Sequence, residues 1–277
     1  MSQLNDFNKM FSLEGKVAVV TGGSRGLGLH AATAFLLAGA SKVFISARKS
    51  EGENGINQAV EKLNKLPVKG RAVGIPANVA QMEGIEFLVN EIKKTNQKVD
   101  ILIANAGATW GGPFEPTPDW SSQKILDLNV RGVFNLVRLM TPLLEAAGTP
   151  KDPSRIIIVS SVAGSHITHV GDNGTIMYSA SKAAAHHLAR NFAVELGPRN
   201  ITTNTVAPGF FPSKLASGLI GILGGEEKLS AEVPRGRLGE PEDIAGVMVY
   251  LCSPAGNYVN GEDIAVDGGR RLGLARM

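Results

Sequence analysis

The chain has 277 residues, 43% hydrophobic and 19% charged, which is the size and composition of one large soluble domain with a substantial core. Its 28 basic and 25 acidic residues leave a net charge of only +3, and aromatic residues make up 5%, so no nucleic-acid-binding surface is expected. The single cysteine, Cys252, excludes an internal disulfide framework and suits a reducing compartment.

The two ends of the chain bear on its location. The first 14 residues form a polar N-terminal extension without the apolar core of a signal peptide. No segment approaches the ~18 consecutive apolar residues of a membrane helix. We therefore expect a cytoplasmic protein with no membrane partner. The last residues, Ala275-Arg276-Met277, distantly resemble the peroxisomal address Ser-Lys-Leu, so a peroxisomal location is the alternative.

Seven short segments rich in β-branched and other apolar residues predict buried β-strands. They cover residues 16–21, 42–46, 71–75, 99–104, 155–160, 201–207 and 263–266. Because they are continuously apolar rather than alternating, they are typical of a parallel sheet covered on both faces. Helical patterns separate them, as in residues 82–97. This order predicts a single α/β domain of the doubly wound, Rossmann type, with a mainly parallel, seven-stranded sheet.

The connections between the predicted strands differ in length. The first helix begins near Gly26 and stops at Gly39, which suits a helix C-cap. Residues 109–120, with three prolines and two glycines, and residues 209–239 are long for simple connections. Both follow strands, so they lie at the carboxyl edge of the sheet, where open α/β sheets bind ligands. We expect residues 209–239 to form a substrate lid.

A glycine-rich turn, TGGSRGLG (21–28), joins the first strand to the first helix. Gly22, Gly26 and Gly28 would let the backbone approach a pyrophosphate and point free N–H groups at it. Their spacing differs from the commoner G-x-G-x-x-G, but the strand before and the helix after favour a dinucleotide site. The same turn spells G-x-S-x-G around Ser24, the nucleophile elbow of esterases. A hydrolase is disfavoured because only one strand precedes Ser24.

The residues beside this turn favour a phosphorylated dinucleotide. Enzymes that use NAD usually place Asp or Glu about 20 residues further on, at the end of the second strand. Here that strand ends in SARK (46–49), and Arg25 lies in the glycine turn itself. Two guanidinium groups would bind a ribose 2′-phosphate, so we predict NADP(H). The alternative is that Arg48 is a solvated loop residue.

The segment MYSASKAAAHHLA (177–189) carries a candidate catalytic pair. Tyr178 and Lys182 are four residues apart and therefore share one face of a helix. A phenol, with a pKa of about 10, is a poor base at neutral pH, but a nearby ammonium group would lower that pKa. This spacing alone is weak. Ser160 and Ser161 after the fifth strand, and Asn129 in the preceding helix, strengthen it.

These motifs resemble those of the short-chain dehydrogenase/reductase family over nearly the whole chain. In order they are TGGSRGLG (21–28), NAG (105–107), Asn129, SSVAG (160–164), YSASK (178–182), NTVAPG (204–209) and VDGG (266–269). The resemblance implies that Tyr178 is the general acid/base and that Lys182 lowers its pKa and holds the nicotinamide ribose. It implies that Ser161 hydrogen-bonds the substrate carbonyl and that Asn129 fixes a water in the proton relay.

The resemblance also implies the cofactor contacts. NADPH would give a hydride to a carbonyl carbon of a small-molecule substrate while Tyr178 donates the proton to its oxygen. The implied cofactor-binding residues are Gly22, Ser24, Arg25, Gly26, Leu27, Gly28, Arg48, Asn78, Val79, Asn105, Ala106, Gly107, Tyr178, Lys182, Pro208, Gly209 and Ser213.

Two departures from the family pattern affect this site. Asn78 stands where the family often has Asp, although an amide can still hydrogen-bond an adenine edge. The segment between Ser161 and Tyr178 is longer than usual, so residues 165–177 must bulge. Ser165 is therefore an alternative to Ser161. We favour Ser161 because it directly follows a strand and is rigidly placed.

The histidines do not form a convincing metal site. His166 and His169 share the bulging loop, whereas His186 and His187 are neighbours on a helix and point about 100° apart. We expect no metal. Contact of His166 or His169 with the substrate and simple solvation both remain open.

The lid sequence bears on the substrate. The segment FFPSKLASGLIGILGG (210–225) is apolar and poor in charge, which favours an apolar or acyl-bearing carbonyl compound. The stretch PGFFPSKL (208–215) resembles bacterial 3-oxoacyl reductases linked to rhamnolipid synthesis. A polyol or sugar dehydrogenase, a general ketone reductase and a non-catalytic NADP-binding regulator are the alternatives. The family resemblance implies a homotetramer or homodimer with contacts through residues 177–196 and 258–269.

Overall fold

The computed structural model describes residues 6–213 and 217–273. Within these residues one sheet has seven strands, every neighbouring pair is parallel, and the order is β3-β2-β1-β4-β5-β6-β7. The strands are β1 (Val17–Thr21), β2 (Lys42–Ala47), β3 (Arg71–Pro76), β4 (Ile101–Ala104), β5 (Ser154–Val159), β6 (Ile201–Pro208) and β7 (Asp263–Val266). All seven predicted strands are confirmed, as is the doubly wound α/β fold.

Helices cover both faces of the sheet and connect successive strands. They are α1 (Gly26–Leu37), α2 (Ile56–Asn64), α3 (Met82–Lys93), α4 (Asp119–Leu126), α5 (Gly132–Glu145), α6 (Ile176–Leu196), α7 (Ser217–Ile222), α8 (Gly225–Ala231) and α9 (Pro241–Cys252). A π-helical turn, Asp127–Arg131, separates α4 from α5. Across the described residues, no helix is both long enough and apolar enough to cross a membrane.

Two hydrophobic cores, one on each face, explain why the strands are continuously apolar. Along β4, Leu102 packs into the core beneath α3, α5 and α6, whereas its neighbour Ile103 packs into the core beneath α1, α2 and α9. Because successive strand residues point to opposite faces, both must be apolar when both faces are covered. The sheet is therefore a rigid platform whose carboxyl edge can carry a site.

The end of α1 lies close to Gly39, the glycine that the sequence predicts as the helix C-cap. The helix stops at Leu37, two residues before the predicted position, and Gly39 follows with a left-handed φ of +103°. The Gly39 N–H donates to the Leu36 carbonyl at 3.1 Å, and the Ala40 N–H donates to the Phe35 carbonyl at 2.9 Å. This pair of bonds is the Schellman motif, which satisfies carbonyls at a helix end and favours glycine.

Two other segments differ from the sequence prediction, one in where a helix ends and one in its helical content. Helix α3 ends at Lys93 rather than near residue 97, because a tighter turn follows in which the Thr95 and Asn96 N–H groups both donate to the Ile92 carbonyl. The lid segment 209–239 is not a loop throughout. It contains α7 and α8, whose apolar side chains form a small separate cluster that includes Ile220 and Leu229.

Candidate active site

The glycine turn after β1 adopts a conformation that only glycine tolerates well. Gly22 and Gly26 have left-handed φ values of +65° and +52°. A Cβ on Gly28 would lie 2.5 Å from the Gly22 carbonyl oxygen and 2.5 Å from the Asn105 amide nitrogen. The turn and the start of α1 are thus pressed together, and the N-terminus of a helix carries free backbone N–H groups, as a pyrophosphate site requires.

Asn105 holds this turn from the neighbouring strand. Its side-chain amide donates to the Thr21 carbonyl at 2.8 Å and to the Gly22 carbonyl at 3.2 Å. The backbone N–H groups of Asn105 and Ala106 both donate to the Thr21 hydroxyl at 3.1 Å. The sequence predicts that Asn105 contacts the cofactor; its side chain also fixes the shape of the turn, a role that could be seen only once β4 was known to lie beside β1.

The arginines predicted to bind a 2′-phosphate flank this turn. Arg25 follows β1, Arg48 follows β2, and both are exposed. Neither guanidinium has a hydrogen bond or ion pair within 6–213 and 217–273, so both can bind an anion. The first acidic residue after β2, Glu51, is instead hydrogen-bonded to Asn57. The donor set at this end therefore fits a phosphate better than a free ribose hydroxyl.

The remaining adenosine-side residues divide between surface and core. Asn78 is half-buried, and its side-chain oxygen accepts the Ala80 N–H at 3.3 Å. With the oxygen used in this way, the amide N–H groups are the part of Asn78 available to a base. Val79 is buried in the core, so it can contribute little but backbone to a ligand, whereas Leu27 is partly buried against the opposite core.

The predicted catalytic pair lies at the start of α6. Lys182 is only 6% exposed, and its Nζ donates to the Val159 carbonyl at 2.9 Å. The same Nζ lies 5.7 Å from the centre of the Tyr178 ring, so the four-residue spacing does bring the two groups together. Tyr178 itself is half-buried.

Ser161, rather than Ser165, is the serine next to Tyr178. Ser161 caps the turn Val162–Gly164, where its hydroxyl oxygen accepts the Ala163 N–H at 3.2 Å, and the same side chain lies close enough to the Tyr178 phenol to lower the pKa of that phenol. The Ser165 hydroxyl donates to the Val162 carbonyl at 3.2 Å and lies 3.0 Å from His166 Nδ1. The geometry therefore favours Ser161 for contact with a bound carbonyl.

Burial sets the protonation of this pair in the protein alone. It raises the pKa of Tyr178, and the hydrogen bond from Ser161 lowers that pKa by less. Burial also lowers the pKa of Lys182 to about 8. In the protein without a cofactor, the pKa of Tyr178 thus lies above its ordinary value rather than below it, because burial is the largest cause of its shift. At neutral pH Tyr178 is a protonated phenol, ready to donate.

Asn129 lies in the π-helical turn and connects two parts of the site. Its amide donates to the Ala108 carbonyl at 2.9 Å and to the Ser181 hydroxyl at 3.0 Å, and its oxygen accepts the Ala108 N–H at 2.9 Å. Sequence reasoning missed Ser181, although it directly precedes Lys182 in the motif. A Cβ on Gly107 would lie 3.5 Å from Lys182 Nζ. Residues 105–107 thus run from the glycine turn to the catalytic lysine.

The segment after β6 closes the other side. The Gly209 N–H donates to the Val266 carbonyl at 2.9 Å, and a Cβ there would lie 2.8 Å from the Asp267 Cβ, so Pro208-Gly209 is tightly fixed. A Cβ on Gly26 would lie 3.8 Å from the Ser213 Cβ. Ser213 therefore reaches back to the glycine turn, across the space that a dinucleotide would fill.

The long loop before α6 forms a bridge over the site. The His169 ring lies 6.0 Å from the Phe210 ring, on the segment after β6. At its other end, the Gly112 N–H donates to the Gly174 carbonyl at 3.0 Å, on the segment after β4. The loop therefore joins the two walls of the site. Across the described residues, no group of three or more His, Cys, Asp or Glu side chains is arranged to bind a metal.

Comparisons with known proteins match nearly the whole chain. A family model described as Enoyl-(Acyl carrier protein) reductase matches residues 22–271. The Rhamnolipids biosynthesis 3-oxoacyl-[acyl-carrier-protein] reductase of Pseudomonas aeruginosa is 37% identical over 262 residues, which cover 95% of this chain and 98% of that protein. The 3alpha-hydroxysteroid dehydrogenase of Mediterraneibacter gnavus is 33% identical over 259 residues, covering 94% and 98%.

Solved structures give the same result. The Pseudomonas aeruginosa RhlG/NADP active-site complex superimposes with a TM-score of 0.86 at 37% identity, over 95% of this chain and 99% of that one. A putative NAD(P) dependent gluconate 5-dehydrogenase from Beutenbergia cavernae, with bound NADP at low occupancy, has a TM-score of 0.83 at 30% identity, over 94% and 98%.

Proposed function

This chain belongs to the short-chain dehydrogenase/reductase family, and on that premise we propose that it is an NADPH-dependent oxidoreductase that reduces a ketone to a secondary alcohol. One observation carries the proposal. Ser161, Tyr178 and Lys182 meet at the end of β5, and Gly107 beside Lys182 lies two residues from Asn105, which holds the glycine turn. A dinucleotide site and a proton donor therefore share one edge of the sheet.

The exposed guanidinium groups of Arg25 and Arg48 support NADP(H) as the cofactor. Both groups flank the glycine turn and have no partner in the described chain. A ribose 2′-phosphate could accept hydrogen bonds from both of them. Two relatives whose solved structures contain NADP support this choice. Gly22, Gly26 and Gly28 would hold the pyrophosphate, and Pro208, Gly209 and Ser213 would border the nicotinamide.

The reaction assigns a separate task to each catalytic residue. NADPH, when bound, supplies the hydride for the carbonyl carbon. Tyr178, neutral because burial raises its pKa, donates its phenolic proton to the carbonyl oxygen. Ser161 donates a hydrogen bond to that oxygen as negative charge develops on it. Lys182, fixed by the Val159 carbonyl, keeps a cation close to the phenolate that forms.

The walls of the site support an apolar or 3-oxoacyl-type substrate. Trp110, on the segment after β4, lies edge to face against Trp120 in α4 with ring centres 4.7 Å apart, and Phe210 lies on the segment after β6. Aromatic side chains on two walls remove apolar surface from water but offer few groups that hydrogen-bond a sugar. A gluconate-type polyol substrate is the second candidate, because one solved relative at 30% identity is a putative gluconate 5-dehydrogenase.

The esterase alternative has no structural support. An esterase nucleophile must be exposed on its turn, whereas Ser24 is only 8% exposed at the start of α1. A non-catalytic NADP-binding regulator, the remaining alternative of a different class, is distinguished by turnover.

Two surfaces support assembly as a homotetramer or homodimer. Val194 on α6 and Phe134 on α5 expose apolar side chains, with 79% of Val194 accessible. Among the described residues β7 pairs only with β6, so its outer edge is free to meet a second copy. For location, the cytoplasm accords with the one buried thiol, Cys252. The peroxisome-like tripeptide 275–277 lies outside the described residues.

The proposed function is tested by following NADPH oxidation by purified protein with three carbonyl classes: β-ketoacyl esters, diketones and ketoses. We expect turnover with the first class, and a kcat/KM for NADPH well above that for NADH. Tyr178→Phe should lose about 10²–10⁴ in kcat, the typical contribution of a positioned proton donor, while NADPH still quenches intrinsic fluorescence with unchanged Kd. Absence of turnover with every class, with NADPH bound tightly, would favour the regulator.

A further inference from the structure

The catalytic face of α6 continues beyond Lys182. Tyr178, Lys182, His186 and Arg190 follow one another at intervals of four residues, so they lie along one stripe of the helix. The first two are the catalytic pair. The next two reach the edge strand β7, where both contact Asp263. The stripe therefore joins the reacting end of the site to a buried ionisable group that the reaction scheme above does not use.

His186 is held firmly in this position. It is 4% exposed, and its Nδ1 lies 3.2 Å from the Asp263 carboxylate. The same carboxylate accepts hydrogen bonds from the Arg190 guanidinium and the Thr205 hydroxyl. A carboxylate fixed by three partners sets both the orientation of the imidazole ring and its tautomer, because Nδ1 must carry a proton to bond Asp263.

The other ring nitrogen, Nε2, is buried and has no hydrogen-bond partner among the described residues. The backbone of Ser161 lies close enough to this ring to favour its protonation. The Ser161 carbonyl already accepts the Gly164 N–H at 2.9 Å, which leaves its second lone pair for another donor. The turn Val162–Gly164 lies directly on α6, since a Cβ on Gly164 would be 2.7 Å from the Lys182 carbonyl carbon.

We propose that His186, oriented by Asp263, is a positioning residue for Ser161, and that its protonated ring holds the Ser161 turn through the carbonyl of that serine. The inference rests on the proposed reductase function only in that Ser161 serves catalysis. When His186 is protonated, Nδ1–H donates to Asp263 and Nε2–H donates to the Ser161 carbonyl. When it is neutral, only the bond to Asp263 remains, and the two lone pairs of Nε2 and the carbonyl oppose each other.

The surroundings of His186 define the pH range of this effect. Burial lowers its pKa below 6.5, and the Arg190 charge acts in the same direction, whereas Asp263 and the Ser161 backbone act against it. The charged or titratable side chains around it, from α6, β7, the loop after β5 and the C-terminal turn, are Lys182, Arg190, Asp263, His166 and Arg271. The hold on Ser161 should therefore weaken as the pH rises through a value below 6.5.

The experiment compares wild type with His186→Gln and His186→Leu from pH 5 to pH 8. Gln keeps an N–H donor but cannot titrate, and Leu has no donor. We expect kcat/KM of His186→Leu to fall about tenfold, a scale typical of small misplacements of a catalytic group, and His186→Gln to recover most of it. The ratio of wild-type to His186→Gln kcat/KM, in which other ionisations cancel, should fall as the pH rises. A ratio that is constant across this range would overturn the proposal.

A double-mutant cycle with Ser161→Ala tests whether His186 acts through that serine. If it does, His186→Leu should cause little further loss in the Ser161→Ala background; a full tenfold additional loss would mean a merely structural role. His187→Gln, at the exposed adjacent position, is the matched control and should leave kcat/KM and its pH dependence unchanged.

A readout without turnover separates this inference from the proposed function. Ring ¹⁵N shifts of labelled histidine in the protein without ligands should give His186 a pKa below 6.5, and Asp263→Asn should lower it further, because the carboxylate that favours the cation is lost. An unchanged pKa in Asp263→Asn contradicts the proposed pair even if no substrate is found. Conversely, a lower His186 pKa in Asp263→Asn would support the His186–Asp263 pair even if no carbonyl compound were turned over.

Discussion

At the scale of single residues, the chemistry depends on burial that no short motif encodes. The spacing of Tyr178 and Lys182 predicted their contact correctly, because four residues along a helix bring side chains together whatever surrounds them. The shifts of their pKa values could not be read from that spacing. They arise from desolvation by segments far away in sequence, and they run opposite to the effect of the pair alone. Ser161 was chosen over Ser165 for its position after a strand, and its contact with Tyr178 supports that choice.

The two serines give a direct test of the site. Ser161→Ala should lower kcat by about 10²–10³, the usual cost of removing one donor to a developing oxyanion. Ser165→Ala, its matched control in the same loop, should change kcat less than threefold, because its hydroxyl contacts Val162 and His166 instead. Steady-state kinetics with the best carbonyl substrate decide the matter. The reverse order of the two effects would transfer the catalytic role to Ser165.

The buried ammonium of Lys182 should cost the folded protein stability. Its pKa of about 8, against 10.5 for the free side chain, corresponds to about 3 kcal/mol of disfavoured charge below pH 8. Lys182→Met removes that cost and forfeits one hydrogen bond to the Val159 carbonyl, worth about 1 kcal/mol. Lys182→Met should therefore be inactive. Without ligands, at pH 7, its free energy of unfolding should nevertheless be higher than that of wild type.

The pH dependence of that gain checks its cause. The folded-state pKa lies below the unfolded value, so the cost is complete below about pH 8 and disappears as the pH rises toward 10.5. The stability difference between Lys182→Met and wild type should shrink over this window in urea denaturation. Lys182→Arg keeps the charge at every pH and should show no gain. A Lys182→Met variant less stable than wild type at pH 7 would mean that the ammonium is not disfavoured in the fold.

At the scale of elements, local pattern predicted the strands and failed at the contacts between loops. A run such as Ile156–Val159 has to be a buried strand because it is apolar on both faces. The bridge formed by the loop before α6 depends on where Gly112 and Phe210 lie, and those positions follow from the strand order. Helix ends fall between these cases, since Gly39 marked the end of α1 to within two residues while α3 ended earlier than its apolar pattern suggested.

The glycine at the end of α1 offers a stability test with an internal control. Gly39→Ala forces a Cβ into a left-handed conformation, 3.2 Å from the Glu14 backbone, and should lower the free energy of unfolding by about 1–2 kcal/mol. Gly246→Ala, inside α9 with nothing within 4 Å of its new Cβ, should raise it by about 0.5–1 kcal/mol. Denaturant titration gives both values. Equal effects in the two variants would contradict the conformational argument.

At the scale of the whole molecule, the described chain exposes several large apolar side chains on α5, on α6 and before β7. The Phe134 ring stacks on Phe192 at 6.1 Å, and with Val194 these residues form an apolar surface across α5 and α6. Tyr258, before the edge strand β7, is fully exposed. The sequence could indicate these regions only through family resemblance, because exposure depends on how the helices cover the sheet. Contiguous exposed apolar surface of this kind marks association between chains.

If the chains associate through this surface, a charge placed on it should lower the molecular mass of the protein in solution. Val194→Glu places a charge at a side chain that is 79% exposed, so the isolated fold should lose less than about 0.5 kcal/mol. In an interface between copies related by symmetry, the same charge is buried without a partner, and each copy adds its own, so the assembly should dissociate. Light scattering after size exclusion should show the mass falling from a multiple of 29.1 kDa toward that value. Leu37→Glu, at an apolar position that is 58% exposed at the end of α1 on the far side of the sheet, should leave the mass unchanged. If both variants keep the wild-type mass, the chains meet elsewhere, and the outer edge of β7 becomes the surface to test.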